Sequence, residues 1–387
     1  MKSVHILVID PIAFPGGSKI ATNNMLKMLD ENINRVTIVT KDPASWPASC
    51  LNNSILFEPS FLADKEQGIW YFLRHILIVL SLIWARIKFG RIDIAVGASG
   101  PGVDLSLYIA KKLFGYHIVQ LIHGPVACSR TIGRALLTAN RVFYLQASRH
   151  SLVRALKTVQ PEFKVSDLLN NRKFCHFRNG LPRDQWPAES TATTPKIFWA
   201  ASLLKWKGLK TLIETLKIIP AVNRPDSHIC YIRPTAIKLE LGPSPVVIEG
   251  VNWHENPVNL DQIRSECNIF VSTSKSEPFG LSILESMAAG LVIIIPKDGA
   301  YWDLQLRDKI DCLKYENEDP LDLALKIQYL QQNPEVIIKL GSRSKIIAQQ
   351  YGADKVYAEI VNFLTFPDGH ASNLNSDAKR KFDHAEI

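Results

Sequence analysis

The chain has 387 residues, 47% of them hydrophobic and 21% charged, with a formal net charge of +8. That length exceeds one ordinary core and implies two domains of roughly 150 to 200 residues, and the composition excludes a disordered or fibrous protein. The six cysteines, Cys50, Cys128, Cys175, Cys230, Cys267 and Cys312, make no Cys-x-x-Cys pair and no zinc-ligand spacing, which argues against a disulfide framework or structural zinc and for a reducing compartment.

The first apolar run, Val4 to Ile9, is only six residues and stops at Asp10; it reads as a buried strand (His5 to Ile9), not a signal peptide, so a cytoplasmic location is expected. Phe14-Pro15-Gly16-Gly17-Ser18 follows and leads into a helix expected over Lys19 to Leu29. A Gly-Gly turn between strand and helix lets backbone amides approach a phosphate, although Gly pairs more often just make turns. It matches neither Gly-x-Gly-x-x-Gly nor the P-loop, which disfavours a dinucleotide dehydrogenase or an ATPase. Arg35 to Val39 reads as the next strand.

Ile69 to Phe89 is strongly apolar but carries Arg74, His75, Arg86 and Lys88. Its longest charge-free stretch, Ile76 to Ala85, is 10 residues, half of what spanning a bilayer requires. It reads as a helix packed on a sheet or as an interfacial helix, with Trp70, Tyr71 and Trp84 suited to headgroup depth. Both hold if only one side is buried. From Met1 to Gly180 there are 22 Lys+Arg against 11 Asp+Glu, whereas the remainder holds 23 against 26. The basic N-terminal half points to an acidic partner. No nucleic-acid module is recognisable, so an anionic membrane leaflet is favoured, with Arg86, Lys88, Lys111 and Lys112 as its contacts.

Strands are expected at Ile92 to Val96, His117 to Ile122 and Val142 to Leu145. His123 closes the middle one. A lone histidine is most often structural, but a strand's carboxyl end is where an α/β sheet binds ligands. Phe177 to Pro182 and Ser190 to Pro195 carry Asn-Gly, Pro and small polar residues, the punctuation of an interdomain linker. Beyond it, strands are expected at Lys196 to Trp199, Ser227 to Ile232, Val246 to Ile248, Ile269 to Ser272 and Leu291 to Ile295. After the first of these, Ser202, Lys205 and Lys207-Gly208 precede a helix over Lys210 to Ile219, where lysines either meet a diphosphate or are merely solvated. Arg233, after the next strand, is a further candidate phosphate ligand. Val271 to Ile295 then runs from strand to tight loop (Glu277-Pro278-Phe279-Gly280) to helix and back to strand. Glu277 and Glu285 are about two helical turns apart and can face one cleft. The polar tail from Asp368 to Ile387 is expected to be disordered.

The last of these segments resembles the Glu-x7-Glu signature of retaining glycosyltransferases of the GT-B fold (glycosyltransferase family 4, glycosyl transferases group 1). The Gly-Gly loop and Lys207-Gly208 are similar to that group too. The resemblance implies an α/β architecture of two facing Rossmann-like, doubly wound domains with an interdomain cleft. It divides the chain into residues 1–182 for the acceptor, 183–352 for the nucleotide sugar, a terminal helix at 353–366 packing back on the first domain, and a tail at 367–387. The activity implied is hexosyl transfer, with retention, from a nucleotide diphosphate sugar to a saccharide or lipid-linked saccharide acceptor in surface polysaccharide or lipopolysaccharide assembly. Catalytic roles fall on Glu277 and His123. Donor contacts fall on Gly16, Gly17, Ser202, Lys205, Lys207, Phe279, Gly280, Leu281 and Glu285. Ser202 stands where the group carries an arginine, with Lys205 as a substitute. No Asp-x-Asp occurs, so neither metal nor cofactor is expected, and no nucleic-acid partner. Cytoplasmic location, peripheral on the inner face of the plasma membrane, completes the reading. An epimerase or phosphorylase on the same fold, or a non-catalytic sugar-nucleotide-binding partner of an assembly complex, remains as the alternative.

Overall fold

A computed structural model describes residues 3–13, 16–46, 51–234, 240–243 and 245–367. Phe14, Pro15, Cys50 and the tail from Asp368 lie outside the described residues. Strands β1 (Val4–Asp10), β2 (Asn34–Thr40), β3 (Leu51–Ile55), β4 (Ile94–Gly97), β5 (His117–Ile122), β6 (Arg141–Tyr144) and β7 (Phe174–His176) form one sheet in the order β3-β2-β1-β4-β5-β6-β7. Strands β8 (Lys196–Ser202), β9 (Asp226–Ile232), β10 (Val251–Glu255), β11 (Ile269–Val271), β12 (Val292–Lys297) and β13 (Leu313–Glu316) form a second, ordered β10-β9-β8-β11-β12-β13. Every neighbouring pair is parallel.

The central strands read as continuous apolar runs because helices cover both faces of a parallel sheet. Ile6 to Ile9 in β1 and Val292 to Ile294 in β12 are fully buried. The edges were harder to read. β3, β7 and β13 (LNNSI, FCH and LKYE) escape the apolar pattern, since an edge strand is short and covered from one side only. The expected strand at Val246 to Ile248 is instead loop, and Val251–Glu255 takes the edge. Trp253 fixes that exchange by donating its indole N–H to the Val246 carbonyl at 2.9 Å.

In both sheets the order reverses next to the first strand, between β1 and β4 and between β8 and β11. Loops leaving the carboxyl ends at such a switch point diverge to opposite faces and open a crevice. The loop after β1 carries Gly16 and Gly17, that after β8 carries Lys207, and that after β11 carries Glu277. The chain passes between the sheets twice, at Gly180–Leu181 and at Tyr351–Ala353, and the passes are bonded together through Leu181 N–H to Tyr351 O (3.0 Å) and Ala353 N–H to Leu181 O (2.9 Å). A Cβ at Gly180 would lie 2.4 Å from Val356 Cγ2, which is why the Asn-Gly pair carries no side chain there. The helix Ala358–Thr365 then packs on β1 and on the helix Gly17–Leu26. The Ser190 to Pro195 run is not a free linker, because Ser190 and Thr191 amides donate to Ala289 and Ser265 of the second unit, each at 2.8 Å.

Candidate functional site

A cleft of about 1640 Å³ lies between the carboxyl ends of the two sheets and is lined by both. Its second-domain wall is built on β8 and β11. After β8 the chain makes a 3-10 turn, Lys205–Lys207, then turns through Gly208 at φ 71° into the helix Leu209–Ile218. The loop after β11 lies directly against this turn: Thr273 Oγ1 donates to Lys207 O at 2.9 Å, and Lys275 N–H donates to Trp206 O at 2.8 Å. Lys207 Nζ thereby reaches Glu277 Oε2 at 2.5 Å and lies 4.1 Å from the centre of the Trp206 ring. Both charges are mostly covered, with side chains 16% and 14% exposed, so the pair is held in a region of weakened screening.

Gly208 has no alternative. A Cβ there would sit 1.9 Å from Thr273 O, on a backbone that already disfavours any residue with a side chain. The left-handed conformation alone costs about 1–2 kcal/mol, and the overlap adds to it. Gly208→Ala should lower the thermal midpoint by about 4 °C or more and displace Lys207 from Glu277. An unchanged midpoint in differential scanning calorimetry would show that the two loops are not locked together.

Glu285 projects from the helix Leu281–Ala288. Its Oε2 accepts from Arg264 NH2 at 2.8 Å, and the nearly buried Arg264 also donates to Asp261 at 2.8 Å. Burial raises the Glu285 carboxyl above the usual carboxylate range, and Arg264 opposes that shift. Phe279 is 2% exposed and packs in an aromatic cluster with Tyr301, Trp302 and Tyr351, so its ring is structural and only its amide can serve a ligand. Gly280 and Leu281 open the helix at the cleft, where first-turn N–H groups have no intrahelical acceptor.

The first-domain wall carries Gly16 and Gly17 at the N-terminus of the helix Gly17–Leu26, whose first turn contains no acidic residue. Behind them Lys19, 6% exposed, is neutralised by Asp10 at 2.9 Å and Asp42 at 3.5 Å. His123 ends β5. Thr22 Oγ1 donates its proton to Ser18 O at 2.8 Å and lies 3.3 Å from His123 Nε2, an arrangement that favours the proton on Nε2. Nδ1 is then a lone-pair acceptor, and among the described residues nothing bonds to it. Burial pushes the imidazole down to about 4, keeping it neutral near physiological pH. The two walls meet here: a Cβ at Gly124 would be 3.9 Å from Pro278.

Glu277, Lys207, Ser202, Gly280, Leu281, Glu285, Gly16, Gly17 and His123 thus share one cleft. Lys205 does not join them. It lies outside the lining, with its ammonium 2.6 Å from Glu240 and its side chain 70% exposed, because residues two apart on a 3-10 turn point about 120° apart. Arg233 is likewise engaged, 3.3 Å from Glu255. Sequence reasoning missed Arg264, whose partner is remote in the chain. It also missed Asp104, which is fully buried, pushed up to about 7 by burial, and accepts from Ser99 N–H (3.0 Å) and Gln120 Nε2 (2.8 Å). Asp104 fixes the loop Ala98 to Val103 along the cleft, and no pattern around it signals that role.

Residues 182–349 match the family model of glycosyl transferases group 1. Solved structures with the same arrangement include Anabaena Alr3699/HepE in complex with UDP and glucose (TM-score 0.69, 16% identity, 93% of this chain and 99% of that one). Sucrose-phosphate synthase from Thermosynechococcus elongatus aligns with TM-score 0.68 and 14% identity over 93% of this chain and 98% of its own. The fold is GT-B. In sequence, the chain is 26% identical over 176 residues to the O-antigen biosynthesis glycosyltransferase WclY of Escherichia coli, a match covering 43% of this chain and 44% of that protein. The chain therefore spans under half the length of the curated relatives it matches.

Proposed function

We propose that the chain is a retaining glycosyltransferase that moves a sugar from a nucleotide diphosphate sugar to a saccharide acceptor in surface polysaccharide assembly, working in the cytoplasm at the inner face of the membrane. The observation that carries this is the Lys207–Glu277 pair, 2.5 Å apart, set against the unclaimed Nδ1 of a neutral His123. The group 1 description of residues 182–349, the UDP and glucose held by the Anabaena neighbour, and the O-antigen role of WclY all support it.

Departure of a nucleoside diphosphate leaves an electron-poor anomeric carbon, so the site must stabilise charge on the leaving group as the bond stretches. Lys207 and the amides of Gly16 and Gly17 meet that charge. Glu277, already holding Lys207, accepts from sugar hydroxyls together with the loop amides, while His123 Nδ1 accepts from a hydroxyl on the opposite side. Glu285, oriented by Arg264, receives the ribose hydroxyls in charge-assisted bonds. The purified chain should hydrolyse a nucleotide sugar slowly without acceptor, and anomeric proton NMR of the transfer product should show retention. Absence of turnover with every uridine, guanosine and adenosine diphosphate sugar tried would favour a non-catalytic binding partner.

Metal independence belongs to the same proposal. The sequence has no Asp-x-Asp, and among the described residues no three His, Cys, Asp or Glu side chains converge. Turnover should persist in excess EDTA. Loss of activity with rescue by magnesium or manganese would overturn the assignment of leaving-group stabilisation to Lys207.

A further inference from the structure

The Asn179-Gly180 pair lies where the chain first passes between the two sheets, and its glycine is held on both sides. Gly180 N–H donates to Tyr357 Oη at 3.0 Å, and Gly180 O accepts from Asn24 Nδ2 at 3.3 Å. With the close approach of Val356, these contacts account for the glycine. They do not account for the asparagine. Asn179 is 4% exposed, and its Oδ1 is buried with no hydrogen-bond donor among the described residues. Its φ is not in the left-handed region where turns favour asparagine, and an oxygen without a donor caps no backbone amide. Such an oxygen costs free energy that an apolar side chain of similar size avoids. The fold by itself therefore gives no reason for asparagine here.

The reason lies in what stands beside it. His123, Leu145 and Asn179 all line the cleft, and they follow the carboxyl ends of β5, β6 and β7. The Phe177 ring, two residues before Asn179, packs edge-on against the His123 ring with centres 5.5 Å apart. The helix Gly17–Leu26 braces both: Thr22 Oγ1 lies 3.3 Å from His123 Nε2, and Asn24 holds the Gly180 carbonyl. His123 Nδ1 is likewise buried and unclaimed among the described residues. The first-domain floor of the cleft thus presents two uncharged acceptors, Asn179 Oδ1 and His123 Nδ1, and neither has a donor.

Two lone pairs call for two protons. A pair of sugar hydroxyls supplies one to each, whereas an ionised carboxylate has none to give. We infer that Asn179 is a specificity-determining residue: its Oδ1 accepts from one hydroxyl of the transferred sugar while His123 Nδ1 accepts from another. The site then takes a neutral hexosyl group with both hydroxyls present and rejects one that is deoxygenated or carboxylated at either position. This inference rests on the transferase reading and narrows its donor.

The first test needs no ligand. Asn179→Leu has nearly the shape of asparagine and no oxygen to satisfy, so the free protein should have a thermal midpoint equal to or above that of wild type. A midpoint lowered in Asn179→Leu and restored in Asn179→Asp, which keeps Oδ1, would mean that the fold already satisfies this oxygen and would overturn the inference. The second test compares kcat/KM for a uridine, guanosine or adenosine diphosphate hexose that turns over with its monodeoxy and deoxyfluoro analogues and with the corresponding uronate. Fluorine accepts but does not donate, so at the two positions read here deoxyfluoro donors should be as poor as deoxy ones, each at least about tenfold below the parent. The uronate should be rejected as well if its carboxylate replaces either hydroxyl. Asn179→Leu should lose most of the preference at one position, keep it at the position read by His123, and bind the nucleoside diphosphate alone like wild type. Asn179→Asp should retain the preference at both. An unchanged preference in Asn179→Leu, or a uniform loss against every analogue, would overturn the inference and leave the transferase reading standing. Failure of every nucleotide sugar to turn over, or to bind in calorimetric titration, would remove the transferase reading and this inference with it.

Discussion

Replacing Lys207 by alanine should lower turnover by about 100- to 1000-fold, the usual cost of removing one preorganised group from a developing negative charge. Glu277→Ala should depress turnover more than donor affinity, because its loss both removes the proposed acceptor for sugar hydroxyls and frees Lys207 from the position it holds at 2.5 Å. The two side chains act as one unit, so the double variant should be scarcely worse than the worse single one. Glu277→Gln keeps an oxygen for Lys207 and should retain more activity than Glu277→Ala. Steady-state kinetics with a fixed donor measures all four. Effects of a few-fold that simply add would sink the proposal that this pair carries the leaving group.

Glu285→Ala should weaken donor binding by about 1.5–3 kcal/mol, the range for a lost hydrogen bond to a charged group, with turnover at saturation much less affected. Arg264 makes the alanine variant ambiguous by itself, since it would keep only Asp261 as a partner in a nearly buried place, and stability would fall as well. Glu285→Gln separates the two effects: it still accepts from Arg264 but forfeits the proposed charge-assisted bonds to ribose. Calorimetric titration should show wild type discriminating against a 2′-deoxyribose donor and Glu285→Ala nearly indifferent. Because burial raises this carboxyl, its ionised form is lost at a higher pH than an ordinary glutamate's. Donor affinity should therefore fall on acidification earlier than a model carboxylate predicts. Equal affinity of wild type and Glu285→Ala would remove Glu285 from the donor site.

The sequence by itself determined the central strands, the two doubly wound units and the Glu277-to-Glu285 segment. Those signals are local: a strand covered on both faces must be apolar throughout, and a strand–loop–helix junction is written in consecutive residues. The apolar and basic character of Ile69 to Phe89 was legible for the same reason, but which side of it faces outward was not. The edge strands β3, β7, β10 and β13 were misread or unseen, since their identity comes from a neighbour to pair with, not from their own composition. Only the tertiary structure decided which charges meet. Lys207 finds Glu277 across 70 residues, Arg264 finds Glu285 across 21, and Thr22 meets His123 across 101. Lys205, two residues from Lys207, was sent to Glu240 by the sense of a single turn. Side chains this long can reach either side of a loop, and what selects the side is the backbone path and the partner already waiting there, neither of which a linear pattern records.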